Sequence, residues 1–327
     1  MTSPAPDLSV LIVTHQVRAP AADCLHSLFT GGGLRGLDAE VIVVDNASDD
    51  GTAQMIAAEF PAVRLIVNGE NAGFARGNNQ AFAIARGRNV LLLNPDTIVP
   101  DGALAACVAF LDARPASVGG MTCRVESPDG SLQHECARRL PTPWSEACRA
   151  LLLDRLFANL DWFNRERFVG WNKRDARAVP AALGAFLLLK SEAVRALPGG
   201  LLDENFFLMY EDVDLCKRLG DAGRALWYWP GARIVHLGGQ STRQRPILTY
   251  AASHASALVY FHKHHSRAVP FVRAALRAGM EIKIGLLRLR SLRRPNDEWT
   301  ARHLAMARAA RTALRGSPAA HAAPAAS

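Results

Sequence analysis

The sequence predicts an α/β protein with a mostly parallel central sheet flanked by helices, followed by a basic helical extension at the C-terminal end. Two observations carry this prediction: short aliphatic segments alternate with helical segments in the first half, and basic residues are concentrated near the C-terminus. The chain has 327 residues, of which 49% are hydrophobic and 21% are charged. This composition excludes a wholly disordered or collagen-like protein.

Short runs of aliphatic and β-branched residues predict the strands of the first half. Near-continuous apolar runs of this kind are typical of parallel strands that are buried on both faces. The predicted strands are Leu8–Thr14, Glu40–Val44, Arg64–Val67 and Asn89–Leu93. The predicted helices are Ala21–Phe29, Thr52–Glu59, Ala75–Arg86 and Ala103–Ala113. Ligands of open α/β sheets bind at the carboxyl ends of the strands, so the polar residues that follow the strands are candidate site residues.

The second half of the sequence is less regular. We predict a buried strand at Val179–Lys190, a short helix at Glu211–Leu219, and extended segments at Ala225–Trp229 and Arg233–His236. The last residues, 316–327, are rich in alanine, proline and serine, which predicts a disordered tail.

Positive charge is concentrated in one segment of the chain. From Arg243 to Arg315 there are 15 Lys+Arg and 3 Asp+Glu, a net charge of +12, whereas the other residues, with 23 against 27, carry −4. This asymmetry indicates an anionic partner for the basic segment, either a nucleic acid or an anionic membrane face.

One long amphipathic helix is predicted between Pro270 and Arg290, within the basic segment. Its apolar residues recur three or four positions apart and therefore form one stripe. The stripe consists of Phe271, Ala275, Ala278, Ile282, Leu286 and Leu289. Two interpretations carry equal weight: the helix packs on the body with a solvated basic face, or it lies in the interface of a bilayer.

Sequence features that report on location favour a cytoplasmic protein that can lie peripherally on the inner face of the cell membrane. No apolar run approaches the ~18–20 residues of a membrane span, and the N-terminal segment lacks the basic and apolar regions of a signal peptide. The six cysteines form no C-x-x-C pair. They suit buried thiols of a reducing compartment better than a disulfide framework or a zinc site.

Asp45 directly follows a predicted strand in the segment VIVVDNASDDGT. A carboxylate in this position lies at the ligand edge of the sheet, where it can accept hydrogen bonds from a nucleotide base or ribose. The alternative is that the polar cluster caps the helix that begins at Thr52. We assign that role to Ser48, Asp49 and Asp50, but not to Asp45.

Asp96 and His236 are the candidate metal ligands. Asp96 follows the strand NVLLL, and Mg²⁺ is typically held through one or two carboxylates while substrate phosphates complete its shell. Taken alone, Asn-Pro-Asp is also typical of a simple turn. His236 follows a short apolar run in ARIVHLGGQS, and its imidazole can be a ligand, although a lone histidine is more often structural.

Asp212 is the candidate general base. In the segment FFLMYEDVDL, aromatic residues run into carboxylates at the expected start of a helix, where the helix N-terminus stabilises negative charge. A carboxylate held in this way can take a proton from a hydroxyl group. Asp214 is instead expected to pair with Arg218, four residues later on the same helix.

Together, these segments resemble glycosyltransferase family 2, whose members have the GT-A nucleotide-diphospho-sugar transferase fold. The resemblance covers residues 8–242 in family order and is greatest to the bacterial branch that contains rhamnosyltransferases of polysaccharide and cell-wall assembly. The matching segments are LSVLIVTHQ, VIVVDNASDDGT, NGENAGFARGNNQAF, VLLLNPDTIV, LGAFLLLK, LLDENFFLMYEDVDLCKRL and ARIVHLGGQST.

The resemblance implies a role for each matching residue. Asp212 matches the catalytic base, and Asp96 and His236 match ligands of Mg²⁺ or Mn²⁺. The residues implied to bind substrate are Thr14, Asp45, Asn46, Gly73, Arg76, Asn78, Asn79, Asn94 and Glu211. The sequence departs from the family pattern at two places: His15 and Gln16 stand where Tyr-Asn is usual, and Asn94-Pro95-Asp96 has one carboxylate fewer than the D-x-D element.

The implied activity is that of an inverting, metal-dependent glycosyltransferase of bacterial cell-envelope glycan synthesis. It would move L-rhamnose from dTDP-L-rhamnose, or a sugar from a UDP-sugar, to a lipid-linked saccharide or a polysaccharide. The implied domains are a GT-A domain over 1–245, a basic helical extension over 246–315 and the tail over 316–327. Within the GT-A domain, 8–100 would bind the nucleotide-sugar, and 101–245 would form the acceptor and catalytic half.

Other functions stay open at this point. Within the family, the chain could be another hexosyl or galactofuranosyl transferase. A sugar-nucleotide pyrophosphorylase is disfavoured, because no Gly-rich phosphate loop follows the first strand. A basic nucleic-acid-binding module is disfavoured because Arg273–Arg294 contains no aromatic residue for base stacking. An inactive scaffold is disfavoured because all four implied catalytic positions, Asp45, Asp96, Asp212 and His236, are intact. We therefore expect an anionic membrane surface, and no nucleic acid, as the partner of residues 246–315.

Overall fold

The structure is a computed structural model that describes residues 4–239 and 245–316. These residues form two compact units. Unit 1 contains 4–138, 172–203 and 212–239, and unit 2 contains 139–171, 204–211 and 245–316. The predicted tail falls outside the described residues from 317 onwards.

Unit 1 is built on a mixed sheet, which has nine strands in the described part of the chain. The strands are β1 (Leu8–Thr14), β2 (Ala39–Asp45), β3 (Arg64–Val67), β4 (Asn89–Leu93), β5 (Thr97–Ile98), β6 (Val118–Glu126), β7 (Arg177–Val179), β8 (Phe186–Lys190) and β9 (Ala225–His236). Their order is β3-β2-β1-β4-β8-β6-β9-β5, and β7 pairs with β9. The first four strands of this order run parallel, whereas β8 pairs antiparallel with both β4 and β6.

Helices flank this sheet in unit 1 and make up most of unit 2. The helices of the chain are α1 (Arg18–Phe29), α2 (Thr52–Glu59), α3 (Phe74–Ile84), α4 (Ala103–Asp112), α5 (Pro143–Ala150), α6 (Leu153–Leu156), α7 (Ser191–Arg195), α8 (Glu211–Asp221), α9 (Pro246–His264), α10 (Val269–Arg293) and α11 (Glu298–Ala313). Unit 2 contains α5, α6, α9, α10 and α11. The predicted α/β architecture with a helical C-terminal part is confirmed.

The core of unit 1 consists of the central strands. Every residue of β1 and β4 is buried, as the continuous apolar runs of these strands predict. All six cysteines are buried and free, which confirms the prediction of buried thiols. Burial raises the pKa of the Cys24 thiol to about 11, so this side chain packs as a small apolar group.

The prediction of one continuous strand at Val179–Lys190 is wrong. β7 ends at Val179 and β8 begins only at Phe186: Pro180, directly after β7, has no backbone N–H to pair in the sheet, and Gly184 donates its N–H to Asp212. Conversely, the two extended segments predicted between Ala225 and His236 form the single strand β9, whose register against β6 shifts twice along the way.

The predicted amphipathic helix is present as α10, but a different face of it is buried. Of the predicted apolar stripe only Ala275 is buried, and the other members are exposed. The buried residues are Val272, Ala275, Leu276, Gly279, Met280, Ile284 and Leu287. Gly279 packs against the end of α5, where a Cβ atom would overlap the carbonyl oxygen of Ala150. Within the described residues, no helix is long and apolar enough to cross a membrane.

Candidate active site

The carboxyl ends of the parallel strands bring several predicted site residues to one edge of the sheet in unit 1. Thr14 and Asp45 are register partners at the ends of β1 and β2. Because β4 runs parallel to β1, the Asn94-Pro95-Asp96 segment that follows β4 lies at this edge as well.

Asp45 is fully buried, and its carboxylate is held by two neighbouring residues. Oδ1 accepts hydrogen bonds from the hydroxyl groups of Thr14 (2.8 Å) and Ser48 (2.6 Å), and Oδ2 accepts one from the backbone N–H of Ser48 (2.9 Å). Thr14 therefore lies beside Asp45 as the sequence suggests. Ser48, which the sequence suggests as a helix cap, binds Asp45 instead, whereas Asp50 does accept the backbone N–H of Thr52 at the start of α2.

Asn46 connects the end of β2 to the start of α3. Its amide donates to the carbonyl oxygen of Gly73 (3.0 Å) and accepts from the amide of Asn68 (2.8 Å). Gly73 has φ +85°, a conformation that an L side chain rarely adopts. The backbone carbonyl of Asn46 also accepts from Nδ1 of His15 (2.8 Å). The other ring nitrogen of His15, Nε2, therefore presents a lone pair, and it has no hydrogen-bond partner within the described residues.

The other predicted donor-site residues on α3 make contacts within the protein. Asn78 is buried and donates to the carbonyl oxygen of Phe74 (2.9 Å). Asn79 makes two hydrogen bonds with the backbone of Leu202, of 2.8 and 3.0 Å, and so fixes the loop that contains Leu202. Arg76 is exposed, and its guanidinium lies 3.9 Å from the carboxylate of Glu70. Roles for these three residues in donor binding stay predictions.

The two predicted metal ligands lie together. Nε2 of His236 is 3.2 Å from Oδ1 of Asp96 and 3.2 Å from Nδ2 of Asn94, and the side chains of Asp96 and His236 are buried. The backbone explains this approach, because Thr97 pairs with His236 where β5 runs antiparallel to β9.

Gln133 holds the His236 ring in place. Its amide nitrogen donates to the carbonyl oxygen of His236 (2.7 Å), so its amide oxygen accepts from Nδ1 of the same residue (2.8 Å). This arrangement places a proton on Nδ1, so the lone pair of Nε2 can accept from the amide nitrogen of Asn94, beside Asp96. The short turn after Gln133 is fixed in turn by the buried Lys173, whose ammonium group donates to the carbonyl oxygens of His134 and Ala137.

The donor set fits a hard divalent cation. One carboxylate and one imidazole, oriented by a hydrogen-bonded glutamine, are ligands that Mn²⁺ and Mg²⁺ accept. No cluster of three His, Cys, Asp or Glu side chains with metal-binding geometry occurs in the described part of the chain. A cation at Asp96 and His236 would therefore take most of its remaining ligands from substrate phosphates and water.

Asp212 lies in the first turn of α8, in unit 1, and its carboxylate is fixed by backbone donors. Oδ2 accepts from the N–H of Gly184 (3.0 Å), Oδ1 accepts from the N–H of Val213 (2.8 Å), and the guanidinium of Arg138 is 3.9 Å from Oδ1. A Cβ atom on Gly184 would lie 3.3 Å from that of Asp212, which is why a glycine suits this position. The predicted ion pair between Asp214 and Arg218 is also present, at 2.7 Å.

Glu211 is the last residue of its segment of unit 2, and the residues before it are held in an unusual conformation. Met209 and Tyr210 have φ values of +68° and +71°, which non-glycine residues rarely adopt. The hydroxyl group of Tyr210 donates to the buried carboxylate of Glu146 (2.8 Å) and accepts from the guanidinium of Arg149 (2.9 Å). Burial raises the pKa of Tyr210 well above its ordinary value, so the hydroxyl remains a donor.

Sequence reasoning missed Gln133, Arg138 and Lys173. None of these residues stands directly after an aliphatic run, which is the pattern that identified Asp45 and Asp96. Their contacts depend on segments that approach each other only in the folded chain, so no local spacing indicated them.

Comparison with known proteins agrees with these observations. Residues 9–173 match the family model of glycosyl transferase family 2. The chain is 30% identical over 285 residues to the N-acetylglucosaminyl-diphospho-decaprenol L-rhamnosyltransferase of Mycobacterium tuberculosis, covering 78% of this chain and 85% of that protein. It is 24% identical over 211 residues to the rhamnosyltransferase WbbL of Escherichia coli, covering 62% of this chain and 75% of WbbL.

A solved structure supports the fold. The mannosyltransferase PcManGT of Pyrobaculum calidifontis, determined with GDP-Man and Mn²⁺, superposes with a TM-score of 0.53 at 21% identity, over 95% of this chain and 88% of that chain. The predicted GT-A fold is thus confirmed, as is the resemblance to rhamnosyltransferase-like proteins. The chain belongs to glycosyl transferase family 2.

Proposed function

We propose that this protein is an inverting glycosyltransferase that moves L-rhamnose from dTDP-L-rhamnose to a lipid-linked saccharide of the bacterial cell envelope. Support for the sugar and the acceptor comes from the Mycobacterium tuberculosis relative, whose name specifies a rhamnosyl transfer to a diphospho-decaprenol-linked sugar. Another hexosyl donor of the same family, including a UDP-sugar, is the alternative. We further propose the division into a GT-A domain over 1–245 and a basic extension over 246–315.

The observation that carries the reaction type is the position of Asp212. Two backbone N–H groups hold its carboxylate at the start of α8, where the helix N-terminus stabilises negative charge. In the proposed step, the oxygen of an acceptor hydroxyl forms a bond to the anomeric carbon, and the bond from that carbon to the diphosphate oxygen breaks. The hydroxyl proton passes to Asp212, and the anomeric configuration inverts.

The leaving diphosphate would be bound at the edge of the sheet. Asp96 and His236 would hold Mg²⁺ or Mn²⁺, which neutralises the negative charge that develops on the departing nucleoside diphosphate. Gln133 keeps Nε2 of His236 available for this role. Asp45, with Thr14 and Asn46 beside it, is proposed to face the nucleoside, and Gly73, Arg76, Asn78, Asn79 and Asn94 are proposed to border the sugar-nucleotide. Glu211 is proposed to contact the substrate next to the base.

We propose that the enzyme works on the cytoplasmic side of the cell membrane, with the basic extension as the part that meets an anionic bilayer. The net charge of +12 between Arg243 and Arg315 supports this location. A lipid-linked acceptor is presented at such a surface, so a peripheral enzyme would meet it there.

The donor is identified by offering purified protein a panel of nucleotide-sugars with and without Mn²⁺ and measuring released nucleoside diphosphate. We expect release from dTDP-L-rhamnose that requires the metal ion. If nucleoside diphosphate is released from a different nucleotide-sugar only, the sugar of that donor would replace rhamnose in the proposal. If no donor is hydrolysed, calorimetry with dTDP and UDP is the next measurement. Binding of either nucleotide would mean that the enzyme needs its acceptor for turnover. Binding of neither would mean that the protein has no nucleotide site and would overturn the proposal.

Asp212→Asn tests the base. We expect the rate of transfer to fall by about 10²–10⁴-fold, the contribution typical of general base catalysis, while nucleotide binding persists. Asp221→Asn is the matched control, because Asp221 is an exposed carboxylate at the other end of the same helix, paired with Lys217. Near-wild-type turnover of Asp212→Asn would remove Asp212 from the mechanism.

A further inference from the structure

We propose that the exposed apolar face of α10 docks onto an anionic lipid bilayer, with the side chains of Phe271, Ile282, Leu286, Leu289 and Leu292 entering the boundary between headgroups and acyl chains. This inference deepens the proposed membrane location and rests on it. It does not depend on which sugar the enzyme transfers.

The apolar face is continuous and accessible. The exposed fractions of its large side chains are 51% for Phe271, 46% for Ile282, 55% for Leu286, 61% for Leu289 and 80% for Leu292. At about 3.6 residues per turn they fall within an arc of about 120° along some six turns of helix. Single exposed apolar residues are ordinary, but a contiguous apolar stripe of this length marks an interaction surface.

The opposite side of α10 is already committed to unit 2. Val272, Leu276, Met280, Ile284 and Leu287 are buried, and the helix packs against α5, α9 and α11. The helix therefore cannot rotate to bury its exposed stripe without exposing an equally apolar face. The outward direction of the stripe is a fixed property of the unit.

The charges around the stripe identify the occupant as an anionic surface. Arg277, Arg288 and Arg293 are exposed on α10, in a segment whose net charge is +12. If two copies of the chain paired through this face, the positively charged segments of both copies would lie next to each other and repel. A bilayer with anionic headgroups instead supplies an apolar layer for the leucines and negative charge for the arginines, as with other basic amphipathic helices that lie in the interface.

The proposed docking face and the residues next to the base share one support within unit 2. Gly279 of α10 rests on Ala150 at the end of α5, and α5 carries Glu146 and Arg149, which bind Tyr210. Tyr210 directly precedes Glu211.

The test is sedimentation of the full-length protein with large unilamellar vesicles, made of phosphatidylglycerol and phosphatidylethanolamine or of phosphatidylcholine alone. We expect binding to the anionic vesicles that weakens with added salt, and weak binding to the neutral ones. Replacing Ile282, Leu286 and Leu289 together by Gln should reduce the partition coefficient at least about tenfold, since three leucine-sized apolar groups would no longer leave water for the bilayer. All three positions are exposed, so thermal unfolding should match that of the wild type.

Single variants provide the matched control. Leu289→Gln and Val67→Gln change side chains of nearly equal exposure, 61% and 59%, in unit 2 and unit 1 respectively. Only Leu289→Gln should weaken vesicle binding. Asp212→Asn should bind vesicles as the wild type does, so failure of the catalytic proposal and failure of the docking proposal give different results.

Three outcomes would overturn the docking proposal. The first is undiminished vesicle binding by the triple glutamine variant. The second is equal binding of the wild type to neutral and anionic vesicles. The third is a wild-type protein that does not bind vesicles but sediments as a dimer, together with a triple variant that sediments as a monomer. That result would assign the face to a second copy of the chain.

Discussion

In unit 1 every residue of β1 and β4 is buried, whereas in unit 2 one face of α10 exposes five large apolar side chains. Unit 1 keeps its polar groups at the end of the sheet, where Asp45 and His236 are held by specific hydrogen bonds and Asp96 lies 3.2 Å from the ring of His236. The contrast shows that the two units differ in which side chains they expose. Unit 1 gathers polar side chains at one edge of its sheet, and unit 2 exposes large apolar side chains on α10.

The largest expected effect is on the free energy of unfolding, and it differs between the apolar residues of the two units. Leu187→Ala, at a fully buried position of β8, should lower the free energy of unfolding by about 2–5 kcal/mol because it leaves a cavity. Leu289→Ala should change it by less than about 0.5 kcal/mol, since that side chain is exposed. Denaturation by urea measures both. Equal losses would mean that the α10 face is packed in solution and would break the comparison.

The polar site of unit 1 gives the next largest effect. Gln133→Leu removes the group that orients His236, and loss of such a partner typically lowers metal affinity about 10–100-fold. Calorimetric titration with Mn²⁺ in the presence of a nucleoside diphosphate measures this change. Gln54→Leu, an exposed change on α2, is the control. Equal affinities in both variants would show that the His236 ring needs no support from Gln133.

Within unit 2, Tyr210→Phe sharpens the comparison, because this unit also contains a buried polar network. The substitution removes one hydrogen bond to the buried carboxylate of Glu146, which should lower the free energy of unfolding by about 1–3 kcal/mol. Hydrogen exchange should increase in residues 204–211 and in α5 before it increases in the sheet. Unchanged exchange there would show that the contact with Arg149 is sufficient to hold Glu146.

The smallest expected effect is a difference in acid sensitivity. Burial lowers the pKa of His254 below its ordinary value of 6.5, so the unfolded chain binds a proton there more readily than the folded chain. The stability that His254 contributes is therefore present above pH 6.5 and is lost as the pH falls through its folded pKa. The groups that face His254 are the carbonyl oxygen of Tyr250 and the charged side chains of Arg149, Glu146 and Lys283.

In unit 1 the comparable group is Glu40. Burial would raise its pKa, but hydrogen bonds from Ser9, Arg86 and Arg64 outweigh burial and lower it below 4.5, so its contribution is lost only in stronger acid. Hydrogen-exchange protection, corrected for intrinsic rates, should accordingly fall first in α9 as the pH drops below 6.5. His254→Gln should remove that step, and a step that survives the substitution would point to another group.

Much of unit 1 was predictable from the sequence because its signals are local. The bounds of β1, β3, β4 and α2 follow from continuous aliphatic runs and their polar ends, and the same runs place Asp45 and Asp96 at the sheet edge. The break between β7 and β8 was missed although a local signal exists, because Pro180 lies inside the predicted strand and cannot donate to its neighbour. The hydrogen bond from Gly184 to Asp212 is a long-range contact, which no local pattern indicates.

In unit 2 the sequence located a helix but not its orientation. α10 is apolar over more than half of its circumference, and periodicity placed Phe271, Ile282 and Leu286 in one stripe without deciding whether that stripe packs on the protein or faces a bilayer. In the structure the opposite side of the helix is buried, and on that side Gly279 makes a close contact where only a residue without a side chain fits. Such a choice depends on tertiary structure, which the helical period does not encode.

The left-handed backbone at Met209 and Tyr210 has a consequence for the segment that precedes Glu211. Two adjacent non-glycine residues in this region each cost of the order of 1–3 kcal/mol, and the contacts of Tyr210 with α5 offset that cost. The segment therefore stores backbone strain, which loss of the Tyr210 contacts would release toward ordinary backbone angles.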